Sequence, residues 1–171
     1  MTLLYTEIGP NGSEYKKGEW KSFAIHNDKE IKGFFGEYRF LSNFWSAKVF
    51  LDNIEYKNVE LAYQASKWKV DDRKYFLNCT GLESIDYNRN NIPNGYTKDE
   101  WDVKKVEIMK DLLIQKFDKN QNSELYEKLK STGTKYLEEM NWWNDIFWGK
   151  NKDGVGENML GKLIVEIRDN K

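Results

Sequence analysis

The sequence predicts an α+β fold: a compact, mainly helical single domain with short strands. Three observations predict it. The first third holds short apolar runs separated by turn formers, the pattern of brief strands. Later stretches starting near residues 59, 97, 123 and 158 carry helical spacing or helix-start signals. A chain of 171 residues also suits one domain with its own core.

Residues 1–33 form an N-terminal extension expected to pack on a domain spanning 34–171. Its runs Leu3-Leu4-Tyr5, Trp20 and Phe23-Ala24-Ile25, with the turn formers Gly9-Pro10-Asn11-Gly12, read as short strands leading into that domain. The stretch from Gly33 to Trp45 is too aromatic for a linker and too punctuated for a long helix. Buried irregular backbone needs polar partners, and Ser42 and Asn43 can be such partners or can contact a ligand. Lys48 to Leu51 and Ile54 to Tyr56, joined by Asp52-Asn53, read as a tight hairpin. Asn58 then fits an N-cap for a helix over Val59 to Trp68, which has no Gly or Pro. Asp71 to Cys79 reads as a second amphipathic segment stopped by Gly81, and the asparagine-rich stretch 84–97, with Arg89, as a loop. Thr97-Lys98-Asp99-Glu100 has capping-box spacing and opens a helix to about Phe117, with Lys104, Lys105, Glu107, Lys110 and Asp111 on its solvated side. A shorter helix covers Ser123 to Lys130, and a last one starts near Asn158.

Composition excludes several kinds of chemistry. With one histidine and one cysteine, the chain has no intrachain disulfide and no zinc site built from several Cys or His, so no metal is expected. His26 lies in a polar stretch and reads as a surface residue, which leaves catalysis to carboxylates and lysines. A net charge of −1 predicts no strong non-specific binding of nucleic acid. No signal peptide or membrane-length apolar run is present, so no membrane partner and a cytoplasmic location are expected. Seven Trp, ten Tyr and nine Phe suit either an aromatic core or a site for flat ligands such as nucleobases.

The helix over Val59 to Trp68 carries the main candidate site. At about 100° per residue, Glu60, Gln64 and Lys67 share one narrow stripe, and Asp71 extends it for as long as the helix continues. Leu61, Ala65 and Trp68 flank the stripe on one side, Val59, Tyr63 and Val70 on the other. An ordinary amphipathic helix has one broad apolar face. This pattern points either to a polar seam lining a pocket, where burial displaces pKa values, or to a partly solvated face with an incidental charge pair. A second candidate is the run from Gly149 to Gly161, which includes Gly156 and Asn158 and puts flexible backbone before a helix N-terminus. Its N–H groups can hold phosphate or sugar oxygens, or the loop is simply capped. Asp145, before Phe147-Trp148, is either a turn residue or a second carboxylate beside a stacking ring.

Asn43-Phe44 after an aromatic lead-in, Glu60 with Gln64-Ala65 and Lys67, Trp101 opening a Lys-rich helix, Asn144-Asp145 with Trp148-Gly149, and Gly156 with Asn158 and Leu160-Gly161 occur in that order. Together they resemble the NADAR superfamily, also called YbiA-like, from about Phe34 to Arg168. Many members have histidine after the glutamate, where this chain has Leu61, and more arginine before the Trp101 helix, where Arg89 stands alone. The resemblance implies a compact mixture of helices and short strands. It also implies an N-glycosidase without cofactor, acting on phosphoribosylated riboflavin-synthesis intermediates or on ADP-ribose joined to guanine, free or in nucleic acid. Glu60 then supports positive charge at the sugar carbon as acid, base or electrostatic partner. A neutral Lys67 admits a Schiff-base route. Gln64 orients sugar hydroxyls, Trp101 or Trp148 stacks on the base, and Asp145 binds ribose or assists Glu60. Many rings and the lysine-bearing glycine loop tilt the expectation toward ADP-ribosylated guanine. The alternative of another class is a non-catalytic module that binds ADP-ribose or NAD-derived nucleotides.

Overall fold

The computed structural model describes residues 19–170. Among them are seven short strands, β1 (Ile25–His26), β2 (Glu30–Lys32), β3 (Val49–Leu51), β4 (Ile54–Tyr56), β5 (Tyr136–Glu138), β6 (Met140–Asn141) and β7 (Lys150–Asn151). The five α-helices are α1 (Val59–Ser66), α2 (Gly81–Asn90), α3 (Lys98–Lys116), α4 (Ser123–Ser131) and α5 (Met159–Asp169). The fold is therefore α+β, mainly helical with short strands. No helix among the described residues is long and apolar enough to cross a membrane. The described residues divide into two compact units, Asn43–Glu127 and a second made of residues 19–42 with 128–170.

In the unit Asn43–Glu127, β3 and β4 form an antiparallel hairpin with Leu51 opposite Ile54. Asp52 (φ 49°) and Asn53 (φ 63°) are both left-handed, as a two-residue hairpin turn matched to strand twist requires. The edge of β3 is occupied by side-chain amides. Gln115 accepts from Phe50 N at 2.7 Å and donates to Phe50 O at 2.9 Å, while Asn122 accepts from Lys48 N at 3.2 Å and donates to Lys48 O at 2.9 Å. Helix α1 starts at Asn58, whose side chain accepts from Leu61 N at 2.9 Å. Every residue of α1 is buried, and the helix packs on α2, α3 and β3. Leu61, Ala65, Phe76, Met109, Leu112, Leu113 and Phe117 supply the core. Lys116, in the last turn of α3, is also fully buried, with its Nζ 5.0 Å from the Phe117 ring centre.

Three expectations in this unit are corrected. Helix α1 does not continue to Asp71, because the carbonyls that would extend it are taken elsewhere. Gly95 N donates to Lys67 O at 2.9 Å and Arg73 Nε donates to Trp68 O at 2.8 Å. Asp71 is exposed in a 3-10 turn, Val70–Asp72. The segment Asp71 to Cys79 is accordingly two 3-10 turns rather than one amphipathic helix, with Arg73 drawn inward to pair with Asp52 and Phe76 buried. Gly81 begins α2 instead of ending a helix, and much of the asparagine-rich loop expected over 84–97 is helical. The cause is a capping box in which Thr80 Oγ1 accepts from Glu83 N (3.2 Å) and Glu83 accepts from Thr80 N (2.7 Å).

In the other unit, β1 runs antiparallel to β2, β2 runs parallel to β5, and β6 runs parallel to β7. Helix α5 packs on β5, and Gly161 allows the approach, since a Cβ there would stand 2.3 Å from Leu137 O. Ile31, Leu41, Leu137, Leu160, Ile164 and Ile167 are buried in this unit. Trp20 lies in a 3-10 turn, Glu19–Ser22, rather than in a strand. The readings placed on Leu3-Leu4-Tyr5 and Gly9-Pro10-Asn11-Gly12 lie outside the described residues. His26 is half-buried rather than a surface residue, for its Nε2 bonds Gly33 O at 2.8 Å and its ring meets Tyr38 edge-on at 4.8 Å.

Candidate functional site

Helix α1 carries the polar seam within apolar cover. Glu60 is 8% exposed and Gln64 7% exposed, so a carboxylate and an amide are held nearly out of water. Each has a partner. Gln64 Nε2 donates to Glu60 Oε1 at 2.8 Å, and Lys67 Nζ donates to Gln64 Oε1 at 2.8 Å. One turn of helix separates each member from the next, so the carboxylate and the amine are joined through the amide. The same Gln64 oxygen accepts from Asn88 Nδ2 at 2.7 Å, which ties α2 to α1.

Lys67 is half-buried between rings, with its Nζ 5.3 Å from the Tyr63 ring centre and 5.5 Å from that of Trp101. Burial pushes its amine below the ordinary lysine value, and this outweighs the electrostatic influence of Glu60, which pushes the other way. Lys67 also forms part of the wall of a pocket of about 280 Å³, together with Pro93, Tyr96, Thr97, Lys98 and Trp101. Tyr96 and Trp101 meet at 5.8 Å there. The loop bearing Pro93 and Tyr96 is fastened to the end of α1. Besides the Gly95–Lys67 bond, Asn94 Oδ1 accepts from Lys69 N at 2.9 Å and Asn94 Nδ2 donates to Asp72 at 2.7 Å.

Asn43 and Phe44 wrap the start of α1. Asn43 O accepts from Glu60 N at 3.0 Å, and Phe44 O accepts from Asn58 Nδ2 at 3.4 Å. Asn43 is 8% exposed. Its Nδ2 lies 3.4 Å from Met109 Sδ, and its Oδ1 accepts no hydrogen bond among the described residues. The Phe44 ring lies against the first residue of α2, where a Cβ on Gly81 would stand 2.6 Å from the ring and 3.5 Å from Glu60 Cγ.

Asn43, Phe44, Glu60, Gln64, Lys67 and Trp101 thus share the unit Asn43–Glu127. Arg89 belongs to it too, but is exposed on α2 and lies 3.4 Å from Asp86, one residue past Asn88 and so about 100° around the helix from the seam partner. Asp145, Trp148, Gly156 and Asn158 lie in the other unit. There Asp145 Oδ1 accepts from Phe147 N (3.1 Å) and Trp148 N (2.9 Å), the bonds of a turn residue. Asn158 is 1% exposed and left-handed (φ 51°). It accepts from Glu139 N at 3.0 Å and donates to Leu137 O at 2.9 Å, fixing the entry to α5. Gly156 (φ 146°) is packed so closely that a Cβ would stand 2.3 Å from Gly149 O.

The sequence reading missed Asn88 and the pocket residues Pro93 and Tyr96. The spacing of Thr80 and Glu83 was the available signal for α2, and hence for Asn88 facing α1. Among the described residues, no three His, Cys, Asp or Glu side chains cluster as a metal site.

Residues 27–170 match the family described as NADAR domain. Over 133 residues the chain is 26% identical to the N-glycosidase YbiA of Escherichia coli strain K12, covering 78% of this chain and 81% of that one. It is 28% identical over 132 residues to a riboflavin biosynthesis protein of Vibrio vulnificus, covering 76% of this chain; it spans only 35% of that relative's length. The NMR structure of Escherichia coli YbiA superposes with a TM-score of 0.70 at 26% identity, covering 86% of this chain and 88% of that one.

Proposed function

The chain belongs to the NADAR family, and on that premise we propose that it is an N-glycosidase, a hydrolase whose bond is the one joining ribose C1 of ADP-ribose to guanine. The observation that carries this reading is the linkage of buried Glu60 to Lys67 through Gln64, with Lys67 on the wall of an aromatic pocket. Rupture of the C1–N bond leaves positive charge on the sugar carbon, which an ionised Glu60 held in low dielectric stabilises. Water then bonds to C1. One of its protons stays on the new hydroxyl, and the other passes to the base nitrogen. Tyr96 and Trp101 offer rings for the base, Lys98 offers a cation for a pyrophosphate, and Asn43 Oδ1 is a buried acceptor of the kind a sugar hydroxyl satisfies. At Lys67 burial outweighs Glu60 and lowers the pKa of the amine, the direction a Schiff-base route needs.

A second reading, cleavage of a phosphoribosylated riboflavin intermediate, is favoured by two observations. The Vibrio vulnificus relative is named for riboflavin biosynthesis, and a pocket of about 280 Å³ lies at the small end of ligand sites. Parallel assays of ADP-ribosylated guanosine and a pyrimidine ribosylamine phosphate decide between the two. Faster release of unmodified guanosine is the expected result, and preference for the small phosphate overturns the substrate assignment. Glu60→Gln is expected to remove most turnover while the protein stays folded; unchanged turnover rejects Glu60. A wild type that binds ADP-ribose but cleaves neither substrate is a binding module.

A further inference from the structure

We infer that Asn88 and Trp68 are positioning residues that lock the Glu60–Gln64–Lys67 array in the direction Glu60 and Lys67 favour. The inference rests on the reading of that seam as the site. An amide can be held either way round, and reversing Gln64 would exchange the donor facing Glu60 for an acceptor. What prevents reversal can be traced bond by bond. The Trp68 indole N–H can only donate. It lies 2.6 Å from Asn88 Oδ1, so the oxygen of Asn88 must face Trp68 and its NH₂ must face α1. That NH₂ donates to Gln64 O at 3.1 Å and to Gln64 Oε1 at 2.7 Å. Gln64 Oε1 must therefore turn toward Asn88 and Lys67, which leaves Gln64 Nε2 for Glu60. Trp68 is itself held in place, being 8% exposed and in ring contact with Phe76 and Tyr87. A donor-only group locked in the core thus acts through Asn88 in the same sense as Lys67, holding Gln64 Nε2 toward the carboxylate.

This arrangement makes an inverted prediction. Asn88→Asp keeps shape and the Trp68 bond, but sets an acceptor against Gln64 Oε1. Asn88→Ala loses all three bonds, yet leaves Glu60 and Lys67 to hold Gln64 in the same sense. A packing role makes alanine the worse change; a directional role makes aspartate the worse one.

The experiment has two independent readouts. In ¹H–¹⁵N NMR at pH 8, the side-chain NH₂ of Gln64 should keep a downfield, slowly exchanging proton bonded to Glu60 in Asn88→Ala and lose that signature in Asn88→Asp. The same Glu60-bonded NH₂ signature in Asn88→Asp overturns the inference, whatever the substrate. In turnover of ADP-ribosylated guanosine at pH 8, Asn88→Asp should fall at least about tenfold below Asn88→Ala, equivalent to one buried hydrogen bond turned against its partner. The ratio of Asn88→Asp to wild-type turnover should recover toward acid pH, where a protonated carboxyl regains an O–H donor. Asn88→Ala at or below Asn88→Asp, or a ratio flat with pH, overturns the inference. If the wild type turns over no N-ribosyl substrate, the proposed function falls and the Gln64 resonances alone decide the role of Asn88.

Discussion

Alanine in place of Gly81 tests how tightly the carboxylate end of the site is built. Glycine to alanine within a helix ordinarily stabilises, by up to about 1 kcal/mol. At Gly81 the new Cβ would stand 2.6 Å from the Phe44 ring, where carbon–carbon contact is ordinarily closer to 4 Å, so the ring has to move by about 1 Å. Such overpacking costs about 1–3 kcal/mol, and at a contact this short the upper part of that range, about 2–3 kcal/mol, applies; against a helix gain of about 1 kcal/mol it leaves a net loss of about 1–2 kcal/mol. For a chain of this length that lowers Tm by roughly 2–6 °C. Because the same Cβ would lie 3.5 Å from Glu60 Cγ, turnover should fall as well. Differential scanning calorimetry and activity assays of Gly81→Ala, Phe44→Leu and the double variant measure both effects. The smaller side chain should relieve the clash, giving a coupling of at least about 0.5 kcal/mol. A higher Tm for Gly81→Ala with unchanged turnover would refute the reasoning, since it would mean that the ring yields freely.

Two further outcomes concern Lys67. Its amine is pushed below the ordinary value of 10.5, so the folded state sheds this proton before the unfolded state does, and the cost of burying the charge is relieved as pH rises from the folded value toward 10.5. In urea unfolding at pH 7 and pH 10, the stability difference between wild type and Lys67→Met should therefore shift in favour of wild type at the higher pH; a constant difference contradicts the displaced pKa. Borohydride added during turnover should trap ribose on Lys67 if an imine forms. Mass spectrometry without an adduct, together with near-normal turnover of Lys67→Arg, sinks the covalent route.

Local signals carried what local bonds determine. The hairpin was legible in Asp52-Asn53, the start of α1 in Asn58, and α3 in Thr97 and Glu100, because each rests on partners within a few residues. The seam of α1 was legible from angular spacing alone, while its apolar flanks left burial and a partly solvated face both open, and the packing of the helix on α2, α3 and β3 decided for burial. Helix α2 was obscured by its asparagines. Its N-terminus is held by Thr80 and Glu83, but Asn88 finds its partners twenty and twenty-four residues back in the chain, at Trp68 and Gln64. The ends of elements behaved likewise. Nothing near Lys67 in sequence announces that Gly95 and Arg73 will take the carbonyls that a longer helix needs. Pro93 and Tyr96 reach the pocket for the same reason, since their loop is placed by bonds to the end of α1.

The amides of Gln115 and Asn122 along β3 bear on how this protein ages. An open hairpin edge is a template for a strand from another molecule, and here two neutral side chains imitate that strand by giving and taking one bond each at Phe50 and Lys48. Deamidation turns each into a carboxylate, which can still accept but can no longer donate. Phe50 O would then lose its side-chain donor, while Lys48 O would keep Gln121 Nε2 at 2.5 Å, so the edge would open at Phe50. Slow chemical damage away from the seam would thus show first as self-association of a protein whose site is intact.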